Sequence, residues 1–597
     1  HASTLLDQKI IKVNDNGLSQ YVVQEVARIN TEEGINDASI IRIPYQTNDE
    51  QVDILRVRVI KPDGSFSEDY DTWNSANSRK GSTTYNDGGT ITVQANNAKV
   101  GDMVEFRYRV RNTSDRNFRG DYFGDVEYVQ DTTPIGMVRY AILYPEKIGP
   151  LYFRAPSTTH QRIDDKPPEG AKLDAGYKST VFELKDVPLA KTEQNQPGYT
   201  EVYDHIIVSN KETIDELGSW WWNLVEEQLI VDDNIRQKVN ELTKGLKTDD
   251  EKVRAIHNYV VQNTRYLHVG LGIHGWKPYR TTTCFRNRYG DCKDKAALLK
   301  VMLEEAGVKA NLVLVRTRRL GEIGPYPASM NVFNHAIAYV PSMDLFLDGT
   351  AEFNGTRELT TMDQSAQALI IEDGGKSRWV NMPVDKPEVN TLKQTMTFDL
   401  TGDEPSATIE MVASGTHAVY FRSALEDPDR RDEVMAKNLA ATYPGAVLEK
   451  ATYSDLKKLE QPVTITLKIK GGKIMQGSED KPFMYPLVAT NDLLGAYASK
   501  SSRDQDLIIR VPYTKQYEIK YVLPKGSTIS KLPQGKTLKS KFGSLNIEYK
   551  EVKGALEVKA TYSIDTHRVS VDEYEDFRAF ARDVTGTLNE AIELESK

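Results

Sequence analysis

Cysteine is nearly absent: only Cys284 and Cys292 occur in 597 residues. Two thiols leave room for neither a disulfide framework nor a cysteine-rich zinc site. A disulfide joining them would silence any chemistry at Cys292, and a free Cys284 packed beside the following helix is the expected state. Long apolar runs are missing too. No stretch approaches the roughly 18 residues of a membrane span, so the chain reads as soluble. Nor is there an excess of basic charge, since the formal net charge is −10; that argues against nucleic acid or an anionic membrane as partner. His268 and His274 carry no HExxH or Cys/His ligand spacing, so neither a metal nor another cofactor is expected. The chain opens at His1-Ala2-Ser3 without an initiator methionine or a signal peptide, which reads as a processed or cloned fragment.

What remains is ordinary globular composition, 39% hydrophobic and 27% charged, in a chain too long for one core. Residues 1–208 read as a β-sandwich. Turn signals at Asn14 to Gly17 and Pro62 to Gly64 separate β-rich runs, and Val104, Phe106, Tyr108 and Val110 alternate with charged residues, one face core and the other wet. Lys185 to Thr200 makes a linker. Residues 209–380 read as an α+β core whose helices cover Glu212 to Leu229, Asp232 to Leu246 and Asp249 to Gln262. Trp220, Trp221 and Trp222 point three ways on such a helix, so they serve mainly packing, some of it against the β-domain. Residues 381–597 read as a β-rich C-terminal domain. There Met396 to Phe398 pairs with Ala407 to Met411, Asp427 to Ala441 is a charged helix, and a terminal helix opens with a capping box at Ser570 to Glu573. Asp427, Asp429 and Asp432 lack the glycine and the terminal glutamate of a calcium loop.

The chemistry centres on Tyr289-Gly290-Asp291-Cys292-Lys293-Asp294-Lys295-Ala296. Asp291 is an N-cap, Gly307 a C-cap, and the residues between are apolar on almost every side, so the helix belongs in a core. Its first turn points N–H groups and the positive end of the dipole at Cys292, an arrangement that favours thiolate. Val332 to Val340 then reads as a strand, Pro341 to Asp344 as a turn, and Leu345 to Gly349 as the returning strand. Pairing Val340 with Leu345 sets Ile337 opposite Asp348 and makes His335 its diagonal neighbour on one face. A one-residue slip would send Asp348 to the other face. The intended register yields a nucleophile, a base and a residue that fixes the imidazole tautomer.

Gly-Asp-Cys-Lys-Asp-Lys-Ala, Asn-His at a strand start and Leu-Asp-Gly-Thr resemble the transglutaminase-like branch of the papain-type cysteine enzymes. The resemblance spans roughly Lys211 to Gly375. It implies a catalytic Cys292, His335 and Asp348, and an oxyanion partner ahead of the cysteine, for which Tyr266 is the first candidate and Trp276 the second. The β-rich region before it resembles more loosely the domain that precedes such cores in bacterial proteins. Acyl transfer through a thioester on a peptide or protein substrate follows, in a periplasmic or cell-envelope setting. Hydrolysis leads; a cross-linking transglutaminase and a catalytically silent binding module remain as alternatives. Gly270 to Gly275 also fits G-x-G-x-x-G, but Pro278 and the missing helical period argue for a glycine-bent loop rather than a nucleotide site.

Overall fold

The computed structural model describes residues 1–76, 84–85, 88–114, 117, 120, 122–270, 272–478, 481–487 and 492–596. They group into two compact units, one made of His1–Thr192, Gly198–Thr350 and Ala366–Asn381, the other of Glu193–Pro197, Ala351–Ser365 and Met382–Lys597. We keep 1–208, 209–380 and 381–597 as proposed domain limits.

In the first unit an eight-stranded sheet runs in the order His160–Asp164, Tyr177–Val187, Ile135–Pro145, Ala2–Val13, Ser19–Ile29, Met103–Asn112, Glu50–Ile60, Phe66–Ser67. Two three-stranded sheets supply the second layer. Ile43, Val93 and Ala95 from one pack on Val57, Val59, Val104 and Phe106. Phe153, Ile206 and Val208 from the other pack on Val138, Tyr140 and Phe182. The sandwich therefore has one continuous layer and one divided layer. Two details depart from the sequence reading. Glu105, on the face read as wet, is only 3% exposed and lies 2.8 Å from the Arg58 guanidinium. Gly34–Ser39 forms a short helix without any capping side chain, which leaves no start signal to read.

The core of this unit is an antiparallel sheet in the order Leu345–Leu347, His335–Val340, Asn311–Arg316, Gln367–Ile371, Ser377–Asn381. Helices Ile214–Val225, Asp233–Thr243 and Asp249–Asn263 begin at Thr213, Asp232 and Thr248, each accepting an N–H bond through its side chain. Such caps satisfy donors the first turn would otherwise leave unpaired. The Cys292–Glu305 helix packs on the His335–Val340 strand and against Asp249–Asn263 and Thr281–Asn287. Even its lysines are buried: Lys295 donates to the Thr264 carbonyl, and Lys300 donates to the Ala310 carbonyl at 2.7 Å beside Asp373 at 2.8 Å. Trp220 lies 4.6 Å from Tyr122 of the sandwich, ring centre to ring centre, and Trp221 is buried. The expected linker starts later, because Tyr177–Val187 is strand.

The second unit holds an eight-stranded sheet in which Thr391–Asp399 pairs with Ser406–Ala413, Met396 opposite Ile409. The Tyr574–Leu588 helix buries Tyr574, Phe577, Phe580, Ala581 and Val584 in that sheet's apolar cluster. Its start is not a capping box. Val571–Glu573 is a 3-10 turn, and the Ser570 hydroxyl donates to the Glu573 carboxylate at 3.0 Å instead of accepting a backbone N–H. The Thr416–Ala424 helix, which follows Gly415, escaped the sequence reading altogether.

Candidate active site

Asp291 caps the Cys292–Glu305 helix in a reciprocal box with Asp294: the Asp291 side chain accepts the Asp294 N–H, and Asp294 Oδ2 accepts the Asp291 N–H at 3.1 Å. Its other oxygen is taken by two more donors, His268 Nδ1–H at 2.7 Å and the Lys293 ammonium. Asp291 and Lys293 are both buried. Burial pushes the Asp291 carboxyl up, but the His268 hydrogen bond and the Lys293 charge outweigh it and hold it below the ordinary range. Asp294 goes the other way. Burial, then the neighbouring Asp291 charge, raise it to about 6, although Lys293 and the N–H groups of Asp291 and Tyr279 pull down. Cys292 is thus the first helical residue above a charged, hydrogen-bonded platform.

Gly290 is required for space. A Cβ there would stand 2.7 Å from Asp294 Cβ and 2.9 Å from Cys284 Sγ. Cys284 is free and buried among Ile256, Val260, Leu298 and Met302, and burial drives its thiol well above the ordinary range. Cys292 is free and half-buried, packed at the edge of a different cluster with Trp276, Phe333, Ala296 and Ala336. The two thiols sit on different helices and in different apolar clusters, one structural and one reachable.

The hairpin takes the register read from the sequence: Val340 faces Leu345, Tyr339 faces Phe346 and Ala338 faces Leu347. Pro341–Met343 makes a 3-10 turn closed by Asp344 in the left-handed conformation, φ 47°. His335 begins the strand itself rather than its middle, because Met330–Val332 is a 3-10 turn. Across the hairpin His335 Nε2 lies 3.3 Å from Asp348 Oδ2. Asp348 Oδ1 accepts Thr350 N–H and Oγ1–H at 2.8 and 2.7 Å. Burial raises the Asp348 carboxyl, yet His335 and these Thr350 bonds overcome it and bring it down to about 2. A carboxylate held ionised beside one imidazole nitrogen favours the proton on that nitrogen and fixes the ring.

Of the two oxyanion candidates, Tyr266 is carried to the cysteine by the backbone. Arg265–Tyr266 pairs in parallel with Tyr289–Gly290, Tyr266 opposite Gly290, and the Leu267 N–H donates to the Gly290 carbonyl at 3.1 Å. Burial, then the charges of Cys292, Asp291 and Asp348, push the Tyr266 hydroxyl up, so it stays a donor. Trp276 is occupied with packing. Its ring is 5.4 Å from Tyr122 and 5.7 Å from Trp220, edge on, and its carbonyl accepts the Trp221 indole N–H at 3.0 Å. The glycine segment forms only a 3-10 turn at Gly272–Gly275, with Leu271 outside the described residues, so the helix that a dinucleotide fingerprint needs does not follow. His274 stacks on Tyr279 at 3.7 Å.

Sequence reasoning missed His268 and Lys293. His268 carries no metal-ligand pattern, although an i+2 lysine beside an N-cap aspartate hints at a charge cluster. Nothing short of the Arg265–Tyr266 pairing would have brought His268 to it.

Residues 236–344 match the model of the transglutaminase-like superfamily. Residues 15–191 match one domain of unknown function, DUF3857, and residues 483–594 another, DUF3858. The chain therefore carries a transglutaminase-like core flanked by these two β-rich domains. Among solved structures, a "putative protease" from Parabacteroides distasonis is similar along 100% of this chain and 99% of its own, at 14% identity and TM-score 0.68, a likeness of fold. A "putative cysteine protease" from Cytophaga hutchinsonii aligns with 44% of this chain and 90% of its own at 13% identity and TM-score 0.17, too loosely to argue from. No curated protein matches the chain. Among the described residues no helix is long and apolar enough to cross a membrane.

Proposed function

We propose that this protein hydrolyses amide bonds of a peptide or protein substrate through a thioester on Cys292. The observation that carries the reading is the 3.3 Å approach of His335 Nε2 to Asp348 on a strand packed against the Cys292 helix. With Nε2 turned to Asp348, Nδ1 is the nitrogen that takes the thiol proton. The thiolate attacks the carbonyl carbon, and the Cys292 N–H with the Tyr266 hydroxyl stabilises the oxyanion. The imidazolium then protonates the leaving amine, and water opens the thioester to a carboxylic acid, regenerating the thiol. A periplasmic or cell-envelope location fits this reading and is proposed with it.

Hydrolysis and amine transfer share every step to the thioester. Wild type and Cys292→Ala are therefore incubated with mixed cell-envelope peptides and a labelled primary amine under reducing conditions. Cleavage that depends on Cys292 and exceeds label incorporation is the expected result. Incorporation exceeding cleavage reassigns the protein to cross-linking, and neither product from wild type favours a silent binding module.

A further inference from the structure

The second unit contains a cavity of about 800 Å³, within the roughly 300–1,000 Å³ typical of small-molecule sites. Its floor is the large sheet. Lys515 stands opposite Tyr562 on the neighbouring strand, with its ammonium 5.6 Å from the Tyr513 and Tyr562 ring centres. Burial alone lowers the Lys515 ammonium from its ordinary range, and among the described residues no carboxylate offsets it. Across the cavity the Thr416–Ala424 helix presents His417, whose buried Nε2 has no hydrogen-bond partner among the described residues. Burial, then the Lys515 charge, push His417 down to about 4, so a neutral imidazole faces the ammonium. Arg510 adds a second cation to the wall. Among the described lining residues the one carboxylate, Asp492, spends Oδ1 on the Gly495 N–H at 2.7 Å.

A half-buried ammonium without an acid, beside an unsatisfied imidazole nitrogen, is costly to maintain in an empty fold. Such a group lowers its cost by pairing with an incoming anion. The rest of the wall bears on what that anion carries, since Tyr497, Tyr513 and Tyr562 line the cavity and supply aromatic surface for an apolar body. Phosphate is recognised best by clustered bidentate arginines, whereas Lys515 and the single Arg510 of this wall, set among tyrosines, suit a carboxylate with an apolar tail, and phosphate is the competing ligand in the test.

We propose that this cavity binds the free C-terminal carboxylate of a peptide ending in a bulky apolar residue. The carboxylate pairs with Lys515 and accepts from His417 Nε2–H, while the last side chain lies against the tyrosines. The carboxylate chemistry stands on the cavity alone; the choice of a peptide rests on the hydrolase reading, because amide hydrolysis leaves such an end.

The test uses the full chain carrying Cys292→Ala, so that turnover plays no part and failure of the hydrolase reading leaves this result intact. Acetyl-Ala-Ala-Phe, its C-terminal amide and phenyl phosphate are titrated by calorimetry. The acid is expected to bind at least about tenfold more tightly than the amide. Lys515→Met should erase that preference and Lys515→Arg keep most of it, with thermal melting confirming that both variants fold. Equal affinity for acid and amide, no saturation by the acid below about 10 mM, or an unchanged preference in a folded Lys515→Met chain overturns the site. Tighter binding of phenyl phosphate than of the acid overturns the peptide assignment.

Discussion

His268 Nδ1 lies 2.7 Å from Asp291 Oδ2, the carboxylate of the residue just before Cys292. That contact joins the loop leading into the core to the cap of the helix that carries the thiol. His268→Ala removes one of two side-chain donors to that buried oxygen, at a cost of about 1–3 kcal/mol. Asp291→Ala goes further, because it removes the cap and strands the Lys293 ammonium, for about 3–5 kcal/mol in all. Tryptophan fluorescence under denaturant measures both. All six tryptophans lie in the first unit, so the signal reports that unit alone. Equal midpoints for wild type and Asp291→Ala would dismiss the platform as a stabilising element.

The two cysteines should label very differently. Iodoacetamide is expected to modify Cys292 in the native chain and to leave Cys284, which is 2% exposed, unmodified until the protein unfolds. Mass spectrometry of tryptic fragments before and after denaturation reads this directly. Comparable native labelling of both thiols would remove the distinction between a reachable and a structural cysteine.

Asp348 and Asp294 give opposite pH signatures. Asp348, held at about 2 against an ordinary 3.8, contributes stability that is present above about pH 4 and is lost as pH falls toward 2. Asp294, raised to about 6 from 3.8, binds its proton more tightly in the folded chain, so stability declines as pH rises from about 4 to 6, by about 2 kcal/mol. Asp294→Asn should flatten that decline in the fluorescence midpoint between pH 4 and 7. Asp348→Asn should leave the decline in place and lower peptide cleavage by about 10³–10⁴-fold through loss of the imidazole tautomer. A decline that survives Asp294→Asn would assign it to another group.

Gly290→Ala is a steric test. The added methyl meets Asp294 Cβ and Cys284 Sγ at under 3 Å, and overpacking of this kind costs about 1–3 kcal/mol. Adding Cys284→Gly vacates the sulfur and should recover part of the loss. No recovery would place the strain at Asp294 instead.

The candidate site was legible where local rules act alone. Asp291 as a cap, an all-round buried helix and a four-residue hairpin turn each follow from short stretches, and the pairing of Val340 with Leu345 then places Asp348 beside His335. What escaped depends on non-local pairing. His268 reaches Asp291 only because Arg265–Tyr266 joins Tyr289–Gly290 as a two-residue parallel ladder, far too short for periodicity to reveal. The Thr416–Ala424 helix escaped for the opposite reason. It starts after a glycine with no capping side chain, includes β-branched Val419 and two aromatics, and owes its existence to Ala418 and Phe421 in the C-terminal cluster rather than to propensity. The divided layer of the N-terminal sandwich was equally hidden, since alternation reports that a strand is half-buried but not by which sheet.

Tyr122 belongs to the N-terminal β region, yet its hydroxyl lies 3.1 Å from Ser329 Oγ, donates to Asn331 Oδ1 and accepts the Met330 N–H at 2.8 Å, while its ring sits between Trp220 and Trp276. Gly124 leaves the room, since a Cβ there would stand 2.2 Å from that hydroxyl. The stretch matched by one family model is thus plugged into the stretch matched by another. A gene encoding residues 209–380 alone would expose an indole-lined socket and an unmatched N–H, so excision of the core exchanges a protein interior for a sticky surface. Sandwich and core share one compact unit, so a boundary drawn between them in the sequence is not a place where the chain comes apart.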